Sequence, residues 1–360
     1  YFMSDYSALQ TQLDDNSYQH TILQDVSRTF ALTIPQLPDP LSHVVGNAYL
    51  LCRIADTIED DKHMQADIKR EFAEMFTEVV AGQCDVDKFS KSLFPLLSSE
   101  ASEAEHNLIA NTAPVIRITH SFNQRQRAAL QRCVSIMAEG MVRYQDTETL
   151  DGVNNLEDMG QYCYYVAGVV GEMLTELFCD YSEEIDQHKD ELMKLSVSFG
   201  QALQMTNILK DIWEDHHRGA CWLPRDVFNK FNVDITSKTP GDRSEGFKNG
   251  LSELVGVAHA HLDNALRYSL ILPPHEKGLR RFCLWALGMA VLTLCKINKN
   301  PWFTEGSQVK ISRRSVKATI LFSNLGISHD GVLKLMYNIA GRNLPVSSIH
   351  EKAEETANHI

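Results

Sequence analysis

Apolar residues recur every three to four positions through six long stretches of the chain, and this spacing predicts amphipathic α-helices. The stretches are HVVGNAYLLCRIADTIED (43–60), QRAALQRCVSIMAEGMVRYQ (126–145), YCYYVAGVVGEMLTELFC (162–179), LMKLSVSFGQALQMTNILKDIWED (192–215), LSELVGVAHAHLDNALRYSLIL (251–272) and RRFCLWALGMAVLTLCKI (280–297). Segments rich in Gly, Pro and Asp lie between the helical stretches and predict loops. Period-two alternation, the mark of strands, is missing from the sequence. We therefore expect an all-α fold, a single-domain bundle of helices around a central cavity.

The ends of the chain are polar. We expect residues 1–18 to form an N-terminal tail, residues 19–345 to form the main domain and residues 346–360 to form a polar C-terminal tail. The longest apolar run, Phe282–Cys295, is shorter than a membrane-spanning helix requires, so a buried core helix is the expectation. No signal peptide is evident, which favours a cytoplasmic protein.

Charge and cysteine content narrow the function classes. A formal net charge of -13 argues against nucleic-acid binding, because phosphate backbones select basic surfaces. The eight cysteines include no C-x-x-C pair, so neither a zinc nor an iron–sulfur site is indicated, and a reducing compartment is the simpler interpretation. An anionic ligand would need cations between itself and this acidic chain.

Two pairs of aspartates stand four residues apart, each at the end of an apolar helical segment. Asp56 and Asp60 occur in DTIED, and Asp211 and Asp215 occur in DIWED. Residues four apart share a helix face, roughly 6 Å apart along the axis, where like charges repel. One such pair is usually a solvated surface. Two pairs favour Mg²⁺ sites, because Mg²⁺ combines a few carboxylates with waters and phosphate oxygens and can clamp a diphosphate.

Basic and amide side chains stand near both pairs. Arg28, Arg53 and Lys210 are candidates for phosphate oxygens that the metals leave free, although a plain surface ion pair would explain each of them singly. Asn207 and Gln204 precede the second pair by four and seven residues and share its helix face. Amides in that row are unusual for a core helix unless they bind something.

Five motifs in order resemble those of the squalene/phytoene synthases, which join prenyl diphosphates head to head. They are SRTFA (27–31), YLLCRIADTIEDD (49–61), YCYYVAGVVG (162–171), QMTNILKDIWED (204–215), and FCLWALGMAVLTLCKIN (282–298) with VKISRR (309–314). The resemblance covers about residues 20–320, and the last motif favours the squalene branch, most like a bacterial-type enzyme. An insertion separates Asn298 from Lys310, and Lys210 stands where the family usually carries an Arg.

The resemblance implies an isoprenoid-synthase-type fold and a magnesium-dependent reaction. Two farnesyl diphosphates would condense through presqualene diphosphate, release inorganic diphosphate, and be reduced by NADPH to squalene. Phytoene or dehydrosqualene synthesis without reduction is the nearest alternative; a terpene cyclase and an inactive family member are further ones. Because the product is apolar, peripheral membrane association for its release is also expected.

Roles follow for residues in and around the motifs. The expected catalytic residues are Tyr162, Arg53, Asp56, Asp60, Asp211 and Asp215, and the expected ligands of two or three Mg²⁺ ions are the four aspartates with Asn207. The expected diphosphate contacts are Ser27, Arg28, Arg53, Gln204, Lys210 and Arg218. The expected prenyl cavity is lined by Phe30, Tyr49, Val166, Ala167, Gly171, Leu203 and Phe282, although close helix packing would equally explain its small residues. The expected NADPH contacts are Lys310, Arg313 and Asn298.

Overall fold

The computed structural model describes residues 2–27, 29–145, 149–241 and 243–347, with side chains from residue 11 onward. These ranges form eighteen α-helices, joined by short 3₁₀ segments and one π-helical segment. The helices are α1 Phe2–Val26, α2 Phe30–Thr33, α3 Asp39–Asp60, α4 Ala66–Ala81, α5 Val86–Leu93, α6 Glu103–Ala110, α7 Thr112–Ser121, α8 Gln124–Tyr144, α9 Leu156–Cys163, α10 Val169–Tyr181, α11 Glu183–Asp186, α12 Lys189–Lys210, α13 Ile212–His217, α14 Arg225–Asn229, α15 Glu245–Ile271, α16 Lys277–Lys299, α17 Arg313–Gly326 and α18 Asp330–Gly341.

The all-α expectation is confirmed. Within the described ranges the chain has no β-strand, only an isolated parallel bridge between Val153 and Pro224. Contacts between residues divide the chain into two compact units. Unit 1 comprises Tyr1–Arg143 with Glu176–Asp186, and unit 2 comprises Tyr144–Thr175 with Gln187–Ile360.

In unit 1, the long helix α3 is largely buried and organises the polar contacts of the core. Asn47 is buried, and its amide group donates hydrogen bonds of 3.0 Å to the side chain of Gln19 and to the backbone oxygen of Val115. The Thr119 hydroxyl donates in turn to the Asn47 side-chain oxygen, at 2.8 Å. A buried polar network in which every member is satisfied fixes how helices α1, α3 and α7 pack.

From Asp15 onward, helix α1 packs against the rest of this unit. Helix α1 runs from Phe2 to Val26, so the expected tail boundary at residue 18 falls inside a helix. Asp15 is buried and accepts two hydrogen bonds from the Arg117 guanidinium, at 2.6 and 2.8 Å. Such a two-point contact stabilises the packing of α1 on α7. Of the expected C-terminal tail, residues 348–360 lie outside the described residues.

In unit 2, helix α12 packs against α15, α16 and the π-helical segment Tyr164–Gly168. Two glycines permit its close approach to the motif YCYYVAGVVG. A Cβ on Gly171 would lie 2.2 Å from the Ser196 backbone oxygen, and one on Gly200 would lie 2.1 Å from that of Ala167. Any larger residue at either position would force the helices apart.

Helix α16 contains the apolar run and forms part of this unit's core. By length and composition it is the one helix among the described residues that could cross a membrane, and 61% of its most apolar window is buried within the protein. Core helices of soluble proteins pass the same test. Burial of Phe282, Leu284 and Leu287 agrees with the core helix that the sequence predicts.

Candidate active site

The first acid pair lies on an open edge in the C-terminal part of helix α3. Between residues 44 and 60, every position of this helix is buried except Tyr49, Arg53, Asp56, Glu59 and Asp60. Four of the five follow one another at intervals of three or four residues, so they form a continuous line along the helix. All five incompletely buried side chains carry a polar or charged group, and none of them is an alanine, leucine or valine.

Burial shapes the electrostatics of this edge. Loss of water around Asp56 raises the pKa of its carboxyl to about 7, and the neighbouring acids Asp60 and Glu105 add to the rise while Arg53 opposes it. The positive charge of Arg53 therefore compensates the negative charge of the Asp56 carboxylate only in part. A cation placed at Asp56 would be stabilised by the same surroundings that disfavour its bare negative charge.

Arg53 holds its position through the neighbouring Tyr49. Its guanidinium donates a 3.0 Å hydrogen bond to the Tyr49 hydroxyl, which donates in turn to the backbone oxygen of Val26 at 3.1 Å. Glu105 lies 3.8 Å away, and the Arg53 Nε atom is buried without a partner. Although burial opposes it, Asp56 raises the pKa of Arg53, so the group stays charged. A buried donor that lacks an acceptor suits an anionic ligand.

The acid next in sequence has a different task. Asp61 is buried and accepts backbone hydrogen bonds from His63, Met64 and Ser98 at 3.0, 3.1 and 2.6 Å. Burial by itself would raise the pKa of Asp61, but these bonds prevail and lower it. The run RIADTIEDD therefore combines acids on the open edge with one acid that holds the turn after α3.

The second acid pair does not lie on one continuous helix, contrary to the pattern predicted from sequence. Helix α12 ends at Lys210, and Asp211 adopts φ -102° and ψ 16° before α13 begins. The backbone bond from the Asp215 N–H to the Asp211 oxygen, at 2.8 Å, still holds the two residues one turn apart. Residues Leu203, Gln204 and Asn207 lead up to this break along the incompletely buried side of α12.

Each aspartate of the second pair has a cation beside it. The Lys210 ammonium lies 3.1 Å from the Asp211 carboxylate, and the Arg218 guanidinium pairs with that of Asp215. Burial raises the pKa of Asp211, Glu214 adds to the rise, and Lys210 and Arg218 oppose it. The predicted phosphate-binding cations Lys210 and Arg218 are thus drawn to the carboxylates in this structure.

The insertion after α16 folds onto the second acid pair. The Gly306 N–H donates to Glu214 Oε1 at 2.7 Å, and the indole N–H of Trp213 donates to the Phe303 oxygen at 2.7 Å. A Cβ on Gly306 would lie 2.9 Å from the Lys210 backbone oxygen, 3.0 Å from Glu214 Oε1 and 3.1 Å from Asp211 Oδ1. The sequence analysis did not identify Gly306. The only sequence feature related to this contact is Glu214, because a Glu precedes the second Asp in both pairs.

Tyr162 stacks on an aromatic partner that the sequence analysis did not identify. Its ring lies parallel to that of Trp222 at a centroid distance of 3.7 Å, and Tyr144 meets it edge-on at 5.4 Å. Trp222 belongs to the ACWLP segment just after the second acid pair. Tyr162 lies directly before the π-helical segment Tyr164–Gly168, a distortion that is frequent at functional sites.

The other predicted residues of the first motifs are distributed as follows. The Ser27 hydroxyl oxygen accepts from the backbone N–H groups of Phe30 and Ala31, at 3.0 and 3.2 Å, and so begins α2. The Phe30 and Tyr49 rings lie 5.3 Å apart. Arg28 lies outside the described residues.

Among the predicted cavity residues, Val166, Ala167 and Leu203 are half-buried and Phe282 is buried. The close contact of Gly171 with Ser196 gives that glycine a packing role, and a prenyl-binding role for it stays a prediction. Lys310 and Arg313 are exposed, with Arg313 at the start of α17. Asn298 donates a 3.0 Å hydrogen bond to the backbone oxygen of Asn343.

The donor atoms suit magnesium. No three His, Cys, Asp or Glu side chains cluster closely enough to hold a metal ion within the part of the chain that the structure describes. Mg²⁺ is commonly held by one or two carboxylates together with water and substrate phosphate, so a pair of aspartates is an adequate protein contribution. The incompletely neutralised carboxyl of Asp56 fits such an ion.

Comparison with known proteins agrees with the motifs. The sequence model of the family described as squalene/phytoene synthase matches residues 23–315. A squalene synthase of Schizosaccharomyces pombe is 29% identical over 91% of this chain and 69% of its own length. Squalene synthase clz20 of Cochliobolus lunatus is 28% identical over 87% of this chain and 72% of its own length.

Solved structures share the fold. The complex of TcSQS with the ligand BPH1237 is similar with a TM-score of 0.75 at 23% identity, covering 96% of this chain and 97% of that one. A dehydrosqualene synthase in complex with a ligand is similar with a TM-score of 0.61 at 20% identity, covering 87% of this chain and 96% of that one. The likeness to TcSQS includes both compact units.

Proposed function

The chain belongs to the squalene/phytoene synthase family, and we propose that it is a squalene synthase. It condenses two farnesyl diphosphates through presqualene diphosphate, releases inorganic diphosphate, and reduces the product to squalene with NADPH. One observation carries the proposal furthest: the only incompletely buried positions in the last four turns of α3 are Tyr49, Arg53, Asp56, Glu59 and Asp60. A helix segment that opens only at such groups is suited to hold cations with its carboxylates and, through them and Arg53, an anionic ligand.

Departure of diphosphate is the step these groups serve. Magnesium bound at each acid pair, with Asn207 as a further ligand beside the second, would neutralise the charge that develops on the leaving oxygen. Arg53 supplies a fixed positive charge and a buried N–H group without a partner. Lys210 and Arg218 exchange their carboxylate partners for phosphate oxygens, and Ser27, Arg28 and Gln204 contribute further polar contacts. Donors fixed in advance stabilise developing charge most effectively.

The allylic cation left behind requires protection from water. The predicted cavity side chains Phe30, Tyr49, Val166, Ala167, Leu203 and Phe282 supply apolar surface for the prenyl chains. Tyr162 handles the proton lost when the cyclopropane closes, and its stacking on Trp222 keeps the ring in one orientation. The face of an aromatic ring also stabilises a nearby cation by roughly 1 kcal/mol or more.

The final reduction distinguishes this proposal from dehydrosqualene synthesis. NADPH, when bound, would supply the hydride that reduces the final carbocation. Lys310 and Arg313 are exposed cations that suit its phosphates. Asn298, a further proposed contact, fixes the end of α16 through its bond to Asn343. We further propose a cytoplasmic location with peripheral contact to a membrane, since a fully apolar product must leave towards lipid.

Product analysis tests the proposal. Purified protein is incubated with Mg²⁺ and either farnesyl diphosphate or geranylgeranyl diphosphate, with and without NADPH, and the extract is examined by mass spectrometry. We expect squalene only when NADPH is present. A C30 product that is unchanged by NADPH would identify a dehydrosqualene synthase, and a C40 product from geranylgeranyl diphosphate would identify a phytoene synthase. A cyclised C15 product would instead indicate a terpene cyclase.

A further inference from the structure

Helices α17 and α18 expose an apolar face. Its members are Leu321, Phe322 and Leu325 on α17 and Val332, Leu335 and Ile339 on α18, and each side chain is between 43% and 68% exposed. The three on α18 follow intervals of three and four residues, as one stripe of a helix does. Single exposed apolar residues are ordinary, but a group of six large ones on a helix pair marks an interaction surface. We call these six residues the α17–α18 face.

The opposite side of the helix pair is already packed. Leu333 and Tyr337 are buried, and a Cβ on Gly288 of α16 would lie 2.5 Å from the Thr319 methyl carbon on α17. The turn between α17 and α18 is held by Arg280, which is 0% exposed and donates to Asp330 at 2.7 Å and to the Ile327 oxygen at 3.1 Å. The α17–α18 face therefore lies on a rigidly held pair and is not the inner side of a loose segment.

The segment that carries the face has a net charge of opposite sign to that of the chain. Residues 310–344 contain six basic residues and one acid, within a chain of net charge -13. The basic residues are Lys310, Arg313, Arg314, Lys317, Lys334 and Arg342. The single acid, Asp330, pairs with the buried Arg280. Arg314 and Lys317 are exposed and precede Leu321 by seven and four residues, on the same side of α17. The exposed Lys334 adjoins Leu335 on α18. An apolar surface with cations beside it matches the chemistry of an anionic membrane surface.

We propose that the α17–α18 face docks on a lipid bilayer that contains anionic headgroups. The apolar side chains enter the interface, and Arg314, Lys317 and Lys334 meet the headgroups. A second copy of this chain is a poorer occupant, because a symmetric contact would bring like charges together. The proposed squalene synthesis gives the docking its purpose, since an apolar product then leaves beside lipid, but the docking itself depends on this surface alone.

Vesicle flotation of the full chain tests the docking. We expect the protein to float with vesicles of phosphatidylcholine plus phosphatidylserine, to bind vesicles of phosphatidylcholine alone weakly, and to be released by salt. A variant carrying Leu321→Glu and Leu335→Glu removes the apolar contact and should not float. A variant carrying Arg314→Gln and Lys334→Gln should bind anionic vesicles roughly thirtyfold more weakly. Leu96→Glu, an exposed leucine in unit 1, is the matched control and should float like the parent.

Product formation in detergent is measured for every variant, because it reports folding independently of vesicles. Equal flotation of all variants, or no flotation of the parent, would overturn the docking. So would a dimer, detected by light scattering, that the glutamate variants abolish, since the face would then join two copies. Absence of squalene from the parent in detergent would contradict the proposed function and leave the flotation result standing.

Discussion

The first acid pair lies on an unbroken helix, whereas the second straddles the end of one. Asp56 shares Arg53 with Glu105 and Tyr49, and burial raises the pKa of Asp56 to about 7, with Asp60 adding to the rise. Lys210 and Arg218, in contrast, each face one aspartate of the second pair. The two pairs look alike in sequence, yet their negative charges are compensated differently. Compensation of the first pair depends more on an added cation, and compensation of the second depends more on neighbouring side chains of the protein.

Support for the two pairs differs as well. The first pair is held by its own helix, because from residue 44 to residue 60 every position of α3 is buried except those on the open edge. The second is held from outside, by the backbone of the loop that contains Phe303 and Gly306. Changes in the first motif should therefore act on metal and substrate directly, and changes in the distant loop should act through the second motif.

The largest effect is expected at the first pair. Asp56→Asn keeps the size of the side chain and removes its charge, so squalene formation should fall by more than about a hundredfold. This loss exceeds the roughly ten- to hundredfold effect that is usual for a residue that only hydrogen-bonds to a metal ligand. The measurement is kcat with saturating farnesyl diphosphate and Mg²⁺. Asp39→Asn, in the first turn of the same helix, is the control. Equal loss in both variants would mean that the effect is not specific to the open edge.

A somewhat smaller effect is expected from the loop that supports the second pair. Gly306→Ala places a methyl group within 3.1 Å of Glu214 and Asp211, so activity should fall roughly ten- to a hundredfold through displacement of the acids. Gly331→Ala on α18 is the matched control, because a Cβ there meets nothing within 4 Å. Thermal unfolding of both variants is measured alongside kcat. Full activity of Gly306→Ala would contradict the claim that this loop positions the second acid pair.

Sequence predicted the part of the site that local periodicity determines. The acid pairs and the row Gln204, Asn207 follow from helical spacing alone. The break at Asp211, the Gly306 contact and the Trp222 stack depend on segments far apart in sequence or on the end of a helix, and no local pattern encodes them. The sequence analysis assigned residues 1–18 to a tail, whereas helix α1 runs from Phe2 to Val26 and contacts Arg117 through Asp15, a partner about a hundred residues away in sequence.

Asp61 differs from the other acids of the first motif because it stabilises the fold and does not lie on the open edge. Asp61→Asn should reduce the free energy of unfolding by about 2 kcal/mol, since a charged acceptor of three backbone donors is lost, while kcat per folded molecule changes little. The lowered pKa of Asp61 adds a pH dependence: its stabilisation is complete above the ordinary carboxyl pKa and is lost as pH falls through the lower folded value. Urea unfolding with parallel activity assays checks both statements.

The smallest effect at neutral pH is expected for the free energy of unfolding when His261, which hydrogen-bonds to helix α12, is replaced. His261 of α15 shares a 2.7 Å hydrogen bond with the Ser198 hydroxyl, and burial lowers the pKa of His261 to about 4. Stability from this group is complete above the unfolded pKa near 6.5 and declines on acidification, by about 2 kcal/mol at pH 5. Urea unfolding of His261→Gln should show a shallower decline over this range. The exposed His20→Gln is the control.

Binding of Mn²⁺ in the presence of inorganic diphosphate, followed by electron paramagnetic resonance, examines the acid pairs without the rest of the reaction. The parent should hold Mn²⁺ tightly only when diphosphate is present. Asp56→Asn and Asp211→Asn should each weaken that binding by at least about tenfold, with Asp39→Asn unchanged. Unaltered Mn²⁺ titrations in both site variants would contradict the role of the two pairs as carriers of the metal.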